Sequence, residues 1–276
     1  MGASLVNIPL KCHSLINTPL KTDSRLQPLF AQLVGHFAHE PAWWPIHTQD
    51  RAFEVTVGMI LVQQTRWEQV ESAVLRLLQS GYTSFDALAD ADPHHVGILC
   101  KPCAFYMRKG NALVQLAQRV STYRDQLNSI LALPRHECRR ILRSLPQIGR
   151  ESADTIMLYG GSHPLFIVDA YARRFLHRTG IYADMLDVMN ADYDAVQHTI
   201  ENDVGPIDVV TARELHAMMV EVCIHHCIAK NPRCTQSGAM RRFVDVRKCA
   251  EHCPPCAGCP TQSMCLYHSA TIPLTG

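Results

Sequence analysis

The chain reads as all-α. Apolar residues recur at three- and four-residue intervals along most of its length. Helix-opening chemistry, Asp or Thr followed by Pro or Glu, precedes several of these runs. No useful stretch alternates apolar and polar residues as a half-buried strand would.

In order, residues 1–24 mix polar and apolar types and are expected to form a disordered tail. They contain no apolar run before a small-residue cleavage site, so a secretory signal is not expected. Residues 25–39 place Leu26, Leu29, Phe30, Leu33, Val34 and Phe37 on one helical face. Residues 53–64 are nearly all apolar, the pattern of a buried helix. Thr65 and Glu68 have capping-box spacing and predict a helix over 66–79. Asp92 and Pro93 form an N-cap and first-position pair for a short helix. Amphipathic helices follow over 108–120 and 136–144, with another over 150–160. Further helices are predicted over 170–179, 192–203 and 209–226.

With 276 residues, 47% of them hydrophobic and 18% charged, the chain can build one large or two modest cores. No apolar run approaches the roughly 18–20 residues that span a bilayer, so no membrane partner is expected. A net charge of +1 does not by itself indicate nucleic acid. The arginines are nevertheless clustered, with Arg139, Arg140, Arg143 and Arg150 in one group and Arg173, Arg174 and Arg178 in another. A local patch on a neutral protein suffices to hold phosphates. Of 12 cysteines, seven fall within the 39 residues 227–265, which favours metal or cluster binding over disulfides.

The most telling stretch is 145–178. Gly149 offers a tight turn opening a helix, and such a helix start points free N–H groups and a positive dipole end at an anion. Asp169 lies 20 residues further on, after one helix and the apolar run 165–168. LPQIG (145–149) with FIVDAYARR (166–174) resembles the helix-hairpin-helix plus aspartate signature of the endonuclease III superfamily of DNA glycosylases. The resemblance runs from about Trp43 to Cys265 and implies two helical domains with a DNA groove between them. One would be a six-helix barrel over 50–165 carrying the hairpin; the other would combine 25–49 with 166–276. It also implies a monomer that binds double-stranded DNA with a flipped damaged base. The compartment would be the cytoplasm and nucleoid of a bacterium, or the nucleus or an organelle of a eukaryote.

Asp169 falls on the superfamily's catalytic position, where a carboxylate stabilises the oxocarbenium-like sugar as the base departs. Asp169 also suits the N-cap of the next helix. Where bifunctional members carry a lysine that attacks the sugar, this chain has Glu151, which cannot form a Schiff base. Glu151 is expected chiefly to complement the helix dipole. Gln147 replaces the hairpin's usual first glycine, Gly149 is retained, and Arg150 and Glu151 complete the implied DNA-facing turn.

The segment 43–70 resembles the WWP…E-x-x-V-G…Q-N-T-x-W pattern of 3-methyladenine glycosylases with the endonuclease III fold, and GRESAD (149–154) matches that branch too. By that resemblance Trp44, Pro45 and Trp67 would line the base pocket, Trp43 would sit in the core, and Gln63 or Gln64 would fill the duplex gap. A cationic alkylated purine suits stacked aromatic rings. The expected function is monofunctional excision of such a base. Alternatives are a glycosylase for uracil, mismatched or oxidised bases, and a non-catalytic binder of damaged DNA.

CIAKNPRC (227–234) and CAGCPTQSMC (256–265) resemble the two ends of the superfamily's C-x6-C-x2-C-x5-C iron–sulfur loop, separated by an apparent insertion over 235–255. Cys227, Cys234, Cys259 and Cys265 are the preferred [4Fe–4S] ligands, because the first should end the long helix. Cys249, Cys256, Cys259 and Cys265 are an alternative set, and zinc an alternative metal. Lys230 and Arg233 are the implied DNA contacts of this loop, with Arg241, Arg242, Arg247 and Lys248 in the insertion.

Overall fold

Two apolar cores form, and the short extended segment 165–168 divides them. A computed structural model describes residues 20–36, 43–123, 125–235 and 258–271. Every regular element among these residues is helical. None is long and apolar enough to cross a membrane.

The first core is built by α2 (Arg51–Val62), α3 (Trp67–Gln79), α4 (Phe85–Ala89), α5 (Pro93–Leu99), α6 (Tyr106–Val120), α7 (Gln126–Leu131), α8 (Arg135–Leu142) and α9 (Arg150–Thr155). Helix α9 continues as a π turn, Ile156–Gly160. The second core joins α1 (Gln27–His36) to α10 (Ala170–Thr179), α11 (Tyr193–Val204) and α12 (Val209–His225). A last short helix, α13 (Leu266–Thr271), lies against α10.

Between the cores, Leu165 and Ile167 face the first while Phe166 and Val168 face the second. Extended backbone alternates its side chains, so a one-residue slip would turn all four to the wrong side. Each buried apolar side chain contributes roughly 1.5–3 kcal/mol, so this register is strongly held. It delivers Asp169 to the seam, where its Oδ1 accepts from Ala172 N at 2.6 Å and caps α10. Gly180, with φ 72°, ends the same helix in left-handed backbone.

The structure departs from the sequence reading at several points. Residues 20–24 are packed rather than part of a loose tail: Leu20 is buried, and the Ser24 hydroxyl donates to Asp203 Oδ2 at 2.7 Å. The capping box at Thr65 does not form. Helix α3 starts at Trp67 without a side-chain cap, because the Thr65 hydroxyl serves Lys109 and Ala104 N instead. The short helices α4 and α7 were not foreseen. Trp44, expected in the second domain, packs in the first core. Residues 1–19, Cys249, Cys253, Cys256, Arg241, Arg242, Arg247, Lys248 and nearly all of the 235–255 insertion lie outside the described residues.

Candidate active site and cysteine pocket

Helices α8 and α9 form the predicted hairpin, and its turn is made in an unexpected way. Gln147 takes left-handed backbone (φ 62°), the conformation for which glycine is ordinarily used. Gly149 is extended (φ −87°, ψ −172°), with open space where a Cβ would stand. Arg150 is occupied: its guanidinium pairs with Asp192 at 2.8 Å and Asp194 at 3.0 Å. Arg135 is bidentate to Glu201, and Arg139 pairs with buried Asp154 and with Asp194. Arg140 and Arg143 therefore present the exposed positive charge of α8 beside the hairpin.

Around Asp169 the structure gathers groups that are distant in sequence. His216 of α12 places Nε2 3.5 Å from Asp169 Oδ2. Its Nδ1 lies 2.8 Å from the Tyr159 hydroxyl, which the π turn brings to the seam. Glu151, in the first turn of α9, is solvent-exposed yet hemmed in by protein. Its carboxyl is pushed up to about 7 by desolvation and by the negative charge of Asp169, against the opposing pull of His216 and Arg173. Two carboxyl groups thus share this site, and Glu151 is the one held partly protonated near neutral pH.

Aromatic rings wall the site. Trp43 meets Tyr159 at 5.6 Å and His216 at 5.7 Å between centroids, while Trp44 meets Trp67 at 4.9 Å and Tyr159 at 5.3 Å. Trp44 is only 7% exposed and presses on Gly58, where a Cβ would come within 3.0 Å of its ring. Trp43, assigned to the core from sequence, is half-buried and is the tryptophan touching His216. Trp67 and Pro45 are half-buried. The Trp43–Pro45 loop is anchored by Glu54, whose carboxylate accepts from the backbone N–H groups of His47 and Thr48. Trp43 itself donates from Nε1 to buried Glu221 at 2.9 Å.

The loop between α2 and α3 carries Gln63, Gln64 and Trp67, and a buried lysine holds it. Lys109 Nζ donates to Leu61 O at 2.8 Å, to Gln63 O at 2.7 Å and to Thr65 Oγ1 at 2.7 Å, using all three protons. Gln64 is exposed in left-handed backbone (φ 56°), and Gln63 Nε2 reaches Gln147 O at 3.4 Å. Beside this loop, Phe105 is 61% exposed, also with positive φ (55°). A bulky aromatic held in such backbone is uncommon and marks a place where a side chain is being aimed. The sequence reading missed Phe105, Tyr159 and His216. Only the exposed aromatic in a Pro-Cys-Ala-Phe turn offered a signal beforehand.

At the far end of α10, Cys227, Cys234, Cys259 and Cys265 line one small pocket together with Phe175 and Arg178. Cys259 N donates to Cys234 O at 2.8 Å, so the two ends of the cysteine loop meet although 24 residues separate them in sequence. Gly258 permits this closure, since a Cβ there would fall 2.8 Å from Cys234 O. Arg178 approaches Cys227 Sγ at 3.3 Å, and Arg174 donates to Cys227 O at 2.7 Å. Hydrogen bonding from Cys223 and from Arg178 pushes the Cys227 thiol down, towards the thiolate that metals require, whereas burial pushes Cys259 up to about 11. No three His, Cys, Asp or Glu side chains among the described residues are grouped to hold a single metal ion.

A profile of the family described as HhH-GPD superfamily base excision DNA repair protein matches residues 57–201. A Methanocaldococcus jannaschii protein, named as a provisional DNA repair glycosylase, is 28% identical over 73% of this chain and 88% of its own. Endonuclease III of Thermotoga maritima is 26% identical over 69% of this chain and 81% of its own. The crystal structure of H. pylori 3-methyladenine DNA glycosylase (MagIII) bound to 1,N6-ethenoadenine superposes with a TM-score of 0.58 at 22% identity, covering 71% of this chain and 95% of that one. That superposition speaks for the all-α fold. The family match spans more than half of the chain, including the hairpin and Asp169, and this protein belongs to the HhH-GPD superfamily of base excision DNA repair proteins.

Proposed function

We propose that this DNA N-glycosylase is monofunctional and excises alkylated purines of the 3-methyladenine type from duplex DNA. The observation that carries the reading is the pair of carboxyl groups at the seam, Asp169 with Glu151 in the position where a Schiff-base amine would stand. Asp169 at the groove stabilises the positive charge that develops on the sugar and orients the attacking water. Glu151, partly protonated, adds no second full negative charge beside it.

The base pocket is assigned to the rings of Trp43 and Trp67, backed by Trp44 and Tyr159. A cationic methylated purine gains from stacking on such rings, and its charge also makes it a good leaving group. The MagIII complex holds a modified adenine in a similar fold, which supports the choice of a purine. Gln64 would fill the gap left in the duplex, and Phe105 would stack into the strand pair from the other side of the same loop. The hairpin amides beyond Gln147, with Arg140 and Arg143, would bind phosphates.

The cysteine pocket fits a [4Fe–4S] cluster held by Cys227, Cys234, Cys259 and Cys265. Zinc, which four thiolates bind at about 2.3 Å, is the alternative metal for the same side chains. Bound there, the cluster would fix the loop carrying Lys230 and Arg233 and brace the end of α10 through Arg174 and Arg178.

The test is release of free base from methylated duplex DNA, followed by mass spectrometry. Native protein should free 3-methyladenine and leave an unbroken strand until alkali is added. Undiminished release by Asp169→Asn would refute the assignment. Release of uracil or thymine alone would move the substrate class.

A further inference from the structure

The His216 imidazole and the Tyr159 hydroxyl are buried polar groups that the proposed chemistry has not yet used. Tyr159 is 3% exposed and His216 is 6% exposed. His216 rises from α12 into the seam, where a buried imidazole needs hydrogen-bond partners for its nitrogens. Its Nδ1 is satisfied by the Tyr159 hydroxyl at 2.8 Å. Its Nε2 is buried and makes no hydrogen bond within the ordinary limit; the nearest acceptor is Asp169 Oδ2 at 3.5 Å.

The Tyr159 hydroxyl has one proton and two acceptors in reach, His216 Nδ1 at 2.8 Å and Arg213 O at 3.2 Å. The hydroxyl gives that proton either to Arg213 O, with Nδ1–H donating to the hydroxyl, or to Nδ1 itself. Nε2 faces a carboxylate oxygen, which only accepts, so the contact with Asp169 requires the ring hydrogen on Nε2. A doubly protonated ring would keep that hydrogen in the same place. Asp169 Oδ1 is already committed to Ala172 N, so an Nε2–H bond to Oδ2 would hold the carboxylate from both oxygens. Trp43 packs edge-on to His216 and fixes its plane.

We propose that His216 is a positioning residue which, oriented by Tyr159, donates from Nε2 to Asp169 Oδ2 and holds the carboxylate aimed at the sugar. The contact, long in the free protein, closes when DNA enters and water leaves, as such bonds tighten in the reacting complex. The inference rests on Asp169 being the catalytic group. Tyr159 is the far end of a short relay whose near end is the reacting carboxylate.

Single-turnover base release from methylated duplex, measured across pH 5–9, tests it with three variants. His216→Phe keeps an aromatic ring at the buried position but removes both nitrogens. It should lower the single-turnover rate about 10- to 100-fold with DNA affinity unchanged, and should move the acid limb of the profile to higher pH. His216→Gln, which can return an N–H near the Nε2 position, should recover most of the rate and the acid limb. Tyr159→Phe should lose about 3- to 10-fold. The titratable groups that face Asp169, besides His216, are Glu151 of α9, Tyr159 of the π turn, Tyr171 of α10 and Cys223 of α12, with the Arg173 guanidinium beside Glu151. Glu151→Gln combined with His216→Phe therefore separates the two sources of a shifted limb. A native rate and acid limb in His216→Phe, while Asp169→Asn is inactive, would overturn the relay alone. Activity in Asp169→Asn would overturn the catalytic assignment beneath it.

Discussion

Gln147→Gly should make this protein more stable. Gln147 sits at φ 62° at the tip of the hairpin, solvent-exposed. A residue with a Cβ in left-handed backbone costs roughly 1–2 kcal/mol, and glycine escapes that penalty. Glycine also frees the unfolded chain, which returns about 0.4–1 kcal/mol of the gain. The neighbouring contact, Gln63 Nε2 to Gln147 O, uses backbone and survives the change. The net gain is about 0.5–1 kcal/mol, equivalent to roughly 1–3 °C in Tm for a chain of this size. Urea titration by circular dichroism would measure it, with Gln147→Ala as the control that trims the side chain but keeps the strained backbone. Gln147→Ala should be neutral or slightly destabilising. If glycine lowered the denaturation midpoint while alanine left it alone, the claim that this turn stores strain would be wrong.

Lys109→Met should destabilise the fold by about 2–4 kcal/mol, because the carbonyls of Leu61 and Gln63 lose a charged donor that nothing replaces; urea denaturation reads it, and weakened lesion binding at low urea should accompany it. Glu151 gives a signed pH dependence. Its folded carboxyl is raised from 4.5 to about 7, so protonation favours the folded state; that stability is fully present below about pH 4.5 and is lost as pH rises through 7. Thermal scans from pH 4.5 to 8 should therefore show a decline that Glu151→Gln flattens, modest in size because the group is exposed to solvent. Purified protein should be brown with broad visible absorbance, and Cys234→Ala or Cys259→Ala should remove colour and iron together, whereas Cys249→Ala should leave both.

Where local chemistry determines an element, the sequence was legible to the residue. Helix α10 runs as expected because Asp169 caps it and Gly180 alone can turn out of it. Asp92 and Pro93 open α5 as read, with the Asp92 carboxylate accepting from His94 and His95 N–H groups. Legibility failed where a distant residue intervened. Thr65 looked like a cap, yet Lys109, 44 positions away, claims its hydroxyl. Arg150 looked free for phosphate, yet Asp192 and Asp194 hold it.

The site divides in the same way. Asp169, Glu151 and the paired tryptophans were visible because family motifs mark their positions. His216 was not, because one histidine on an apolar helix gives no sign of what its ring faces. That Trp44 is the more buried of the pair, pressed on Gly58, while Trp43 touches His216, is a matter of ring direction that spacing does not encode. The cysteine loop was readable as two separated halves, and the Cys259-to-Cys234 hydrogen bond shows how they meet.

Borohydride trapping on methylated duplex DNA probes the core of the account more directly than any other assay. With Glu151 in place of an amine, base release should pass through water alone, giving free base, an alkali-labile strand and no cross-linked protein. A borohydride-stable complex between protein and sugar would contradict the account, because it would require a nucleophilic amine at a seam where the structure places two carboxyl groups.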